Sequence, residues 1–424
     1  MRAILSAFVV FASLPALAQL SGHGGPVRSL AVSADGARAI SGSFDQSAIL
    51  WNIEERAALA VLRSHQGAVN AVAALPDGSF ATGGEDGRIA IWRAGDAQPA
   101  RVLAGHSGPI AGLAVSPDGR YVASASWDGT ARIWPVDGGA TRVLEGHAGN
   151  VNAVAFLPDG RLVSAGYDLT VRIWPKQDGE PPTVSTLPSP LNAVASMLDG
   201  GIAAGGADGV VRLLGPDGAL DAEVDLPRGP VIALAVSPDG TRIAAATVAG
   251  SVAVIDRTER RILFHLVGPG LPVWSVAWRP DGREILTGGS DRLVRRWNAR
   301  SGEPIGPLSL ARATDVLAGF TGSRGAELFQ ACAACHTLTP DGGNRAGPTL
   351  HGVIGRRIAT APGYAFSDAL KKLDIVWTAD TIGRLFAIGP SRYTPGTKMP
   401  EQTVPDDADR AALVAFIEGA TRPR

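Results

Sequence analysis

A repeat with a period of about forty residues runs through residues 22–310 and constrains the fold more than any other feature of this sequence. The clearest copies are Ser126–Trp134 and Gly166–Trp174, which carry an aspartate, a threonine, an arginine and a tryptophan at the same offsets. Seven copies keep this phase. Because a repeat of this length is typical of a four-stranded propeller blade, the sequence predicts a ring of seven such blades.

Each copy combines an Asp-Gly turn with a large apolar residue at its end. The closing residues are Trp51, Trp92, Trp134, Trp174, Leu214, Ile255 and Trp297. A second aspartate stands six positions before the closing residue in every copy except one. The Asp-Gly turns supply the positive φ angles that reverse one strand into the next. This pattern resembles the WD40 repeat family, which implies an all-β, seven-bladed propeller over residues 19–310.

In the WD40 family, a histidine ahead of the first strand joins a serine or threonine, the turn aspartate and the tryptophan in a hydrogen-bonded tetrad. The resemblance implies complete tetrads in the first four blades: His23/Ser41/Asp45/Trp51, His65/Thr82/Asp86/Trp92, His106/Ser124/Asp128/Trp134 and His147/Ser164/Asp168/Trp174. We interpret these His–Asp pairs as structural rather than catalytic or metal-binding, because one role explains all four. Blades five to seven lack the histidine.

Closure of the ring is a separate question, since many WD40 rings lend an N-terminal strand to the last blade. Here the mature chain would begin at Gln19, almost on the first Gly-His pair, so we expect no strand exchange. The segment Glu303–Leu310 follows Trp297 and would supply the outer strand of blade seven. A linker over residues 311–323 would then lead to a domain over residues 324–424.

The run Cys332-Ala-Ala-Cys335-His336 is an attachment motif for a c-type haem. Two thiols one helical turn apart add to the porphyrin vinyl groups, and the histidine that follows becomes the proximal ligand of the iron. These are the only two cysteines in 424 residues. A redox disulfide expects a βαβ setting, and a structural zinc site needs four ligands. We therefore expect one haem c, attached through Cys332 and Cys335.

The methionines narrow the choice of the second iron ligand. Apart from Met1, the chain has only Met197 and Met399, and only Met399 shares the C-terminal segment with the haem motif. An iron ligated by both His336 and Met399 has no open position for a substrate, which favours the transfer of single electrons.

Residues 324–424 resemble the class I, mitochondrial-type cytochromes c and the bacterial cytochromes c2, which implies an all-α domain. The likeness rests on CAACHT, GPTLHGVIGR, TAPGYAFSDALKK, IVW and PGTKMP, which occur in the family's order. It implies that the carbonyl of Pro348 accepts a hydrogen bond from His336 and fixes its tautomer. The positions that would hydrogen-bond the haem propionates are Arg356, Ser367, Trp377 and Thr397.

Several positions depart from the family pattern. Phe366 replaces the usual tyrosine near a propionate, and Leu370 replaces a polar residue of the buried water network. Leu385 or Phe386 stands where a tyrosine normally lies near the methionine sulfur. The pocket should therefore be drier than is usual in the family.

The resemblance also predicts how the first and last helices of this domain pack. Leu413 and Phe416 match positions of the C-terminal helix that contact the N-terminal helix. Because Phe329 lies one residue too close to Cys332, we expect Leu328 to take over its packing role.

The first eighteen residues read as a secretory signal peptide, with Arg2, the apolar stretch Ala3–Leu14, and small residues at Ala16 and Ala18. An uncleaved membrane anchor is the alternative, but the stretch is shorter than the ~20 residues that a span requires. We expect cleavage after Ala18, no integral membrane segment in the mature chain, and a periplasmic location in a bacterium. Covalent haem attachment in bacteria takes place outside the cytoplasmic membrane, which agrees with export.

A formal net charge of −1 argues against nucleic acid or an anionic membrane as the main partner.

Because an iron with two protein ligands leaves no position for a substrate, we expect an electron carrier, with the propeller as docking platform for a redox or assembly partner protein. The alternative is a periplasmic oxidoreductase whose propeller carries the substrate site. The arginines expected near the docking surface are Arg257, Arg260, Arg261, Arg292, Arg295 and Arg296. The sequence leaves the oligomeric state open.

Overall fold

The structure is a computed structural model. It describes residues 19–96, 98–177, 179–226, 229–306, 320, 322–333, 336–339, 347–362, 364, 366–395, 397, 399 and 403–422. The predicted signal peptide, Cys335 and most of the predicted linker lie outside the described residues. Strands occupy the first part of the described chain and helices the last part.

Seven four-stranded antiparallel sheets form the blades of a propeller. Blade one holds β2 (Val27–Val32), β3 (Arg38–Ser43), β4 (Ala48–Asn52) and β5 (Ala57–Leu62), and blade two holds β6 (Val69–Ala74), β7 (Phe80–Gly84), β8 (Arg88–Trp92) and β9 (Arg101–Ala104). Blade three holds β10 (Ile110–Val115), β11 (Tyr121–Ser126), β12 (Ala131–Pro135) and β13 (Arg142–Leu144), and blade four holds β14 (Val151–Phe156), β15 (Leu162–Gly166), β16 (Thr170–Trp174) and β17 (Thr183–Thr186).

The remaining blades follow in chain order. Blade five holds β18 (Leu191–Ser196), β19 (Ile202–Gly206), β20 (Val210–Leu214) and β21 (Leu220–Asp225), and blade six holds β22 (Val231–Val236), β23 (Arg242–Thr247), β24 (Ser251–Asp256) and β25 (Arg261–Val267). Blade seven holds β26 (Val273–Trp278), β27 (Glu284–Gly289), β28 (Leu293–Asn298) and β1 (Leu20–Ser21). The inner strands of neighbouring blades contact one another, and β2 contacts β26, so the ring is closed.

The expectation that the ring closes without strand exchange is wrong. β1 pairs antiparallel with β28, with Leu20 opposite Val294, and so completes blade seven. Leu20 is fully buried against residues of blades one and seven, which is the physical reason for the exchange. Within the described part of 303–310, only an isolated bridge between Pro304 and Trp297 forms.

The four predicted tetrads form. In each one, the tryptophan indole donates to the serine or threonine hydroxyl over 2.7–2.9 Å. That hydroxyl lies 2.7–2.8 Å from Nε2 of the histidine, and Nδ1 lies 2.7–3.0 Å from the aspartate carboxylate. The network satisfies buried polar groups between the strands of a blade, as the structural interpretation requires.

Two blades without the histidine use an arginine instead, which the sequence analysis did not anticipate. In blade five, the guanidinium of Arg212 lies 2.7 Å from the carboxylate of Asp208. In blade seven, Arg295 lies 2.6 Å from Asp291, while the indole of Trp297 still donates to a threonine hydroxyl. Each arginine follows its aspartate by four residues on the next strand and is almost fully buried. A charged pair therefore replaces the His–Asp contact at these turns.

The helices in the described part of the C-terminal domain are α1 (Arg324–Ala333), α2 (Asp368–Lys371), α3 (Ala379–Ile388), α4 (Pro390–Tyr393) and α5 (Asp407–Ala420). The side chain of Thr378 caps α3 in a reciprocal capping box with Thr381, and that of Asp406 caps α5. These caps set where α3 and α5 begin.

Helices α1 and α5 cross closely. A Cβ at Gly325 would lie 2.3 Å from the carbonyl oxygen of Ala412, so only glycine allows this approach. Leu413 and Phe416 are buried in the same core as α1, as predicted. The expectation for Leu328 is wrong, because Phe329 is the fully buried residue and its ring centroid lies 5.2 Å from that of Phe416. Phe329 follows Gly325 by one helical turn and so shares its buried face.

Among the helices in the described part of the chain, none combines the length and the apolar character that crossing a membrane requires.

We expect Leu20→Ala to lower the free energy of unfolding of the propeller by about 2–5 kcal/mol, because it empties a site between the first and last blades. The control is Ser21→Ala, since the side chain of Ser21 is exposed on the same short strand. Urea unfolding followed by tryptophan fluorescence measures both. Equal midpoints for the two variants would show that β1 does not hold the ring closed.

We expect the stability of the propeller to fall as the pH is lowered from about 7 to 5. Burial lowers the pKa of His106 and His147 below the ordinary value of 6.5. Below pH 6.5 these histidines therefore bind protons in the unfolded chain but stay neutral in the folded protein. Their contribution to the free energy of unfolding is complete above pH 6.5 and is lost as the pH falls towards the lower pKa of the folded state. Unfolding free energies measured across this range test the slope.

The variant His106→Ala tests the same pH dependence of the free energy of unfolding. It should lower the unfolding free energy at pH 8 by about 1–3 kcal/mol and reduce the acid-dependent loss. The exposed neighbour Ser107 provides the control through Ser107→Ala, which should match the wild type. A His106→Ala protein with unchanged stability but lost electron transfer to a partner would contradict the structural role.

Candidate functional site

A large cavity of the helical domain is lined by the predicted site residues. It encloses about 1480 Å³ of empty space, including the part that opens to solvent. The predicted residues that line it are Cys332, His336, Pro348, Arg356, Ser367, Trp377, Thr397 and Met399. The ninth, Cys335, lies outside the described residues. Residues distant in sequence therefore meet around one space.

His336 is oriented by the loop that faces it. Its backbone N–H donates to the carbonyl of Cys332 over 3.0 Å, which continues the turn at the end of α1. Its Nδ1 lies 2.8 Å from the carbonyl oxygen of Pro348, as the resemblance implied. A Cβ at Gly347 would lie 2.4 Å from Cε1 of His336, so this close approach requires glycine. Because Nδ1 faces a carbonyl, Nε2 is the ring nitrogen that would bind an iron.

Met399 lines the cavity from the segment that follows α4, whereas His336 follows α1. Its backbone N–H donates to Oγ1 of Thr397 over 3.1 Å, and the N–H of Thr397 donates to the carbonyl of Thr394. These bonds fold the segment into a tight turn behind α4. The side chain of Met399 packs against the core of the domain. The thioether and the imidazole of His336 thus belong to the wall of the same cavity.

Arg356 brings a positive charge to this wall. Its guanidinium donates to the carbonyl oxygens of His351, over 3.0 Å, and Thr349, over 2.6 Å. Burial lowers its pKa, because the charged form loses contact with water. A desolvated guanidinium held by carbonyl groups is suited to a carboxylate from a bound group, such as a haem propionate.

Ser367 and Trp377 are fixed by the backbone. The hydroxyl of Ser367 accepts from the N–H of Leu370 and caps α2. The N–H of Trp377 donates to the carbonyl of Arg356 over 3.0 Å, and its carbonyl accepts from Gly355 over 2.8 Å. Both side chains therefore reach the cavity from rigid positions beside Arg356.

The apolar lining agrees with the prediction of a dry pocket. The departures from the family pattern that line it are Phe366, Leu370, Leu385 and Phe386. Tyr364, which was not predicted as a site residue, also lines the cavity, and its ring centroid lies 4.7 Å from that of Phe366. Its position two residues before Phe366 was the available signal.

The residues present fit a covalently attached haem. The cavity offers a cysteine at the end of α1, an imidazole with a fixed tautomer, a thioether, an apolar interior and a desolvated guanidinium. Soft sulfur and imidazole ligands are those of cytochrome iron, and the guanidinium suits the carboxylates of the porphyrin.

Four residues of the propeller line the same cavity, which sequence analysis did not predict. They are Phe44, Val248, Pro272 and Trp274. The space that receives the predicted site residues is therefore bounded by both parts of the chain.

Comparison with known families supports both resemblances. The family described as WD domain, G-beta repeat matches residues 15–52, 57–93, 97–135, 138–175 and 260–298. The family described as Cytochrome c matches residues 322–421. The first match suggests a protein-interaction platform, and the second suggests haem-based electron transfer.

Curated relatives match the C-terminal part of the chain. Cytochrome c of Gibberella zeae is 40% identical over 107 residues, which are 25% of this chain and 100% of that protein. Cytochrome c of Stellaria longipes is 40% identical over 100 residues, which are 23% of this chain and 92% of that protein. Cytochrome c of Arabidopsis thaliana is 41% identical over 100 residues, again 23% of this chain and 88% of the relative. Through this domain, which follows a seven-bladed propeller of WD40 repeats, the chain belongs to the cytochrome c family.

Proposed function

We propose that the protein is an exported electron carrier with one haem c. Cys332 and Cys335 would attach the haem, and His336 and Met399 would ligate its iron. The protein would pass single electrons to or from a partner protein that docks on the propeller. The observation that supports this most is that His336 and Met399 line one cavity with Cys332.

Three further residues of the cavity would then support the haem and its ligands. Pro348 holds the tautomer of His336 and keeps its ring plane constant through its carbonyl. Thr397 holds the backbone of Met399 and so would help to position the thioether towards the iron of a bound haem. Arg356 offsets the negative charge of a propionate. When bound, the haem supplies an iron that takes up and releases one electron.

The apolar lining has a further consequence for electron transfer. Leu370, Leu385 and Phe386 are all at least nine-tenths buried, so they exclude water from the cavity. A dry, rigid surrounding needs little rearrangement when the charge of the iron changes. Low rearrangement favours a carrier, and the double ligation leaves the iron no position for a substrate.

Export and a periplasmic location belong to the same proposal. The basis is the signal-peptide pattern of residues 1–18 together with the requirement for haem attachment outside the cytoplasmic membrane.

Of the six arginines expected near the docking surface, Arg295 and Arg296 are buried, whereas the other four reach the surface and keep the predicted docking role open to test. Five of those six arginines form ion pairs with carboxylates of the propeller itself. Arg296 is only 4% exposed, bonds Glu284 at 2.7 Å and donates to the carbonyl of Ile53 in blade one. Arg295 and Arg296 therefore stabilise blade seven, so any contact with a partner falls to the four arginines at the surface.

We expect Met399→Leu to remove the weak near-infrared sulfur-to-iron band of the oxidised protein and to lower its reduction potential, because a thioether ligand raises the potential. Met197→Leu is the matched control, since Met197 is the other internal methionine and is buried in blade five. Absorption spectra and redox titration of the full-length protein measure the effect. Survival of the band in Met399→Leu would disprove this ligand.

We expect deletion of residues 2–18 to abolish haem attachment in a bacterial host, because the chain would stay in the cytoplasm. An unrelated cleavable signal peptide in the same place should restore it. Haem staining of denatured protein after cell fractionation gives the result. Normal haem content without any signal peptide would contradict export.

A further inference from the structure

Four residues of the propeller line the cavity that also holds the predicted site residues of the helical domain. Phe44 belongs to blade one, Val248 to blade six, and Pro272 and Trp274 to the start of blade seven. Residues 357–361, one loop of the helical domain, line the same cavity. We call these four propeller residues the apolar arc.

The apolar arc occupies only part of the propeller rim. Phe44 and Val248 each directly precede the turn between the second and third strands of their blades. The equivalent residues of the other blades are Glu85, Trp127, Tyr167, Ala207 and Ser290. These five equivalents do not line the cavity, so the contact is confined to neighbouring blades six, seven and one.

Contacts within the propeller hold the side chains of the arc in place. The indole of Trp274 donates to the hydroxyl of Ser290 over 2.8 Å, and Trp274 is only 5% exposed. The rings of Phe44 and Trp274 meet edge to face, with their centroids 6.3 Å apart. The guanidinium of Arg28 lies 5.7 Å from the ring centroid of Trp274. The carbonyl of Pro272 accepts from the N–H of Ser290. This surface is therefore a preformed apolar wall.

Hydrogen bonds and burial also fix the loop of residues 357–361. Ile358 and Ala361 are buried in the helical domain, and the N–H of Ile358 donates to the carbonyl of Ile375 over 2.8 Å. Ala359 has a φ of 61°, in the left-handed region that non-glycine residues seldom adopt. The hydroxyl of Thr360 closes the turn on the carbonyl of Arg357. Two fixed surfaces thus share the cavity.

We propose that the apolar arc is the outer wall of the haem cleft, so that the propeller sets the polarity at the haem edge and with it the reduction potential. The proposal rests on the proposed function of the cleft. It also fixes the partner of this arc: the chain's own haem domain covers it, and a redox partner must reach the haem from another side.

A test follows from the effect of a charge beside an apolar cleft. A negative charge stabilises the oxidised haem and lowers the potential, a positive charge raises it, and both effects grow as water is excluded. Val248 is suitable because it is half-buried at the edge of the cavity. Ala207 is its matched control, because it occupies the equivalent turn of blade five, is also half-buried, and does not line the cavity.

The experiment compares Val248→Asp and Val248→Lys with Ala207→Asp and Ala207→Lys in the full-length protein with haem. Redox titration should show a lower potential for Val248→Asp and a higher one for Val248→Lys, each changing the ratio of reduced to oxidised protein several-fold at a fixed applied potential. The variants at Ala207 should stay near the wild type. Hydrogen exchange of the Ile358 and Ala361 amides should also accelerate in Val248→Asp, because a buried charge loosens the wall.

Equal potentials for the Val248 and Ala207 variants, with unchanged exchange in the 357–361 loop, would overturn the proposal. If Val248→Asp does not fold, Phe44→Ala replaces it, with Tyr167→Ala as the control at the equivalent turn of blade four. Loss of the outer ring should then accelerate exchange in the loop in Phe44→Ala alone, and equal exchange in the two variants would again overturn it. Failure of Met399 ligation shows in the near-infrared band of the wild type, whereas failure of the apolar arc shows in these comparisons.

Discussion

Closure of the ring is the constraint on which the rest of the structure depends. Each hydrophobic cluster of the propeller joins two neighbouring blades; Ile40 and Leu50 of blade one, for example, pack with Val69 and Phe80 of blade two. A blade is therefore incomplete until both neighbours are present. At the junction of blades seven and one, Leu20 fills the remaining space between Trp51 and Val294. Two residues from the beginning of the described chain thus complete a sheet whose other strands, β26 (Val273–Trp278) to β28 (Leu293–Asn298), come far later in the sequence.

Closure has a consequence for function, because it places seven equivalent turns around one rim. The tetrads and the Asp–Arg pairs stabilise these turns from within, so the side chain ahead of each turn can vary without loss of the fold. The sequence uses this freedom unevenly. Phe44 and Val248 present apolar groups beside Trp274, whereas Glu85 and Tyr167 present polar ones elsewhere on the rim. Trp127 and Ala207 are apolar as well but do not line the cavity, so the position of a blade in the ring matters as much as its side chain.

Much of this architecture could be predicted from the sequence, since the informative residues repeat or form a long motif. Four tetrads were predictable because His, Ser or Thr, Asp and Trp recur at constant offsets. Eight of the residues that line the cavity were predictable because the cytochrome motifs fix their order. Strand β1 was not predictable, because two residues are too short for any periodicity and only the burial of Leu20 reveals its role. Arg212 and Arg295 were missed because a different residue, from another strand, replaces the histidine in contacting the aspartate. Phe329 was misjudged because family spacing was counted from Cys332, while helix α1 is set by its crossing with α5 at Gly325.

The two walls of the cavity differ in how they are built, and this difference explains how one chain can combine them. The inner wall belongs to a small domain in which Gly347, the carbonyl of Pro348 and the Thr397 turn determine where His336 and Met399 lie. None of these contacts involves the propeller. The outer wall belongs to the rim, where the side chains are fixed by Ser290 and by packing within blades one and seven. Covalent attachment through the cysteines would hold the haem regardless of the outer wall, so changes in the rim could alter the potential without loss of the cofactor. A propeller fused to a cytochrome can in this way adjust the haem environment and recognise a partner with different arcs of the same rim.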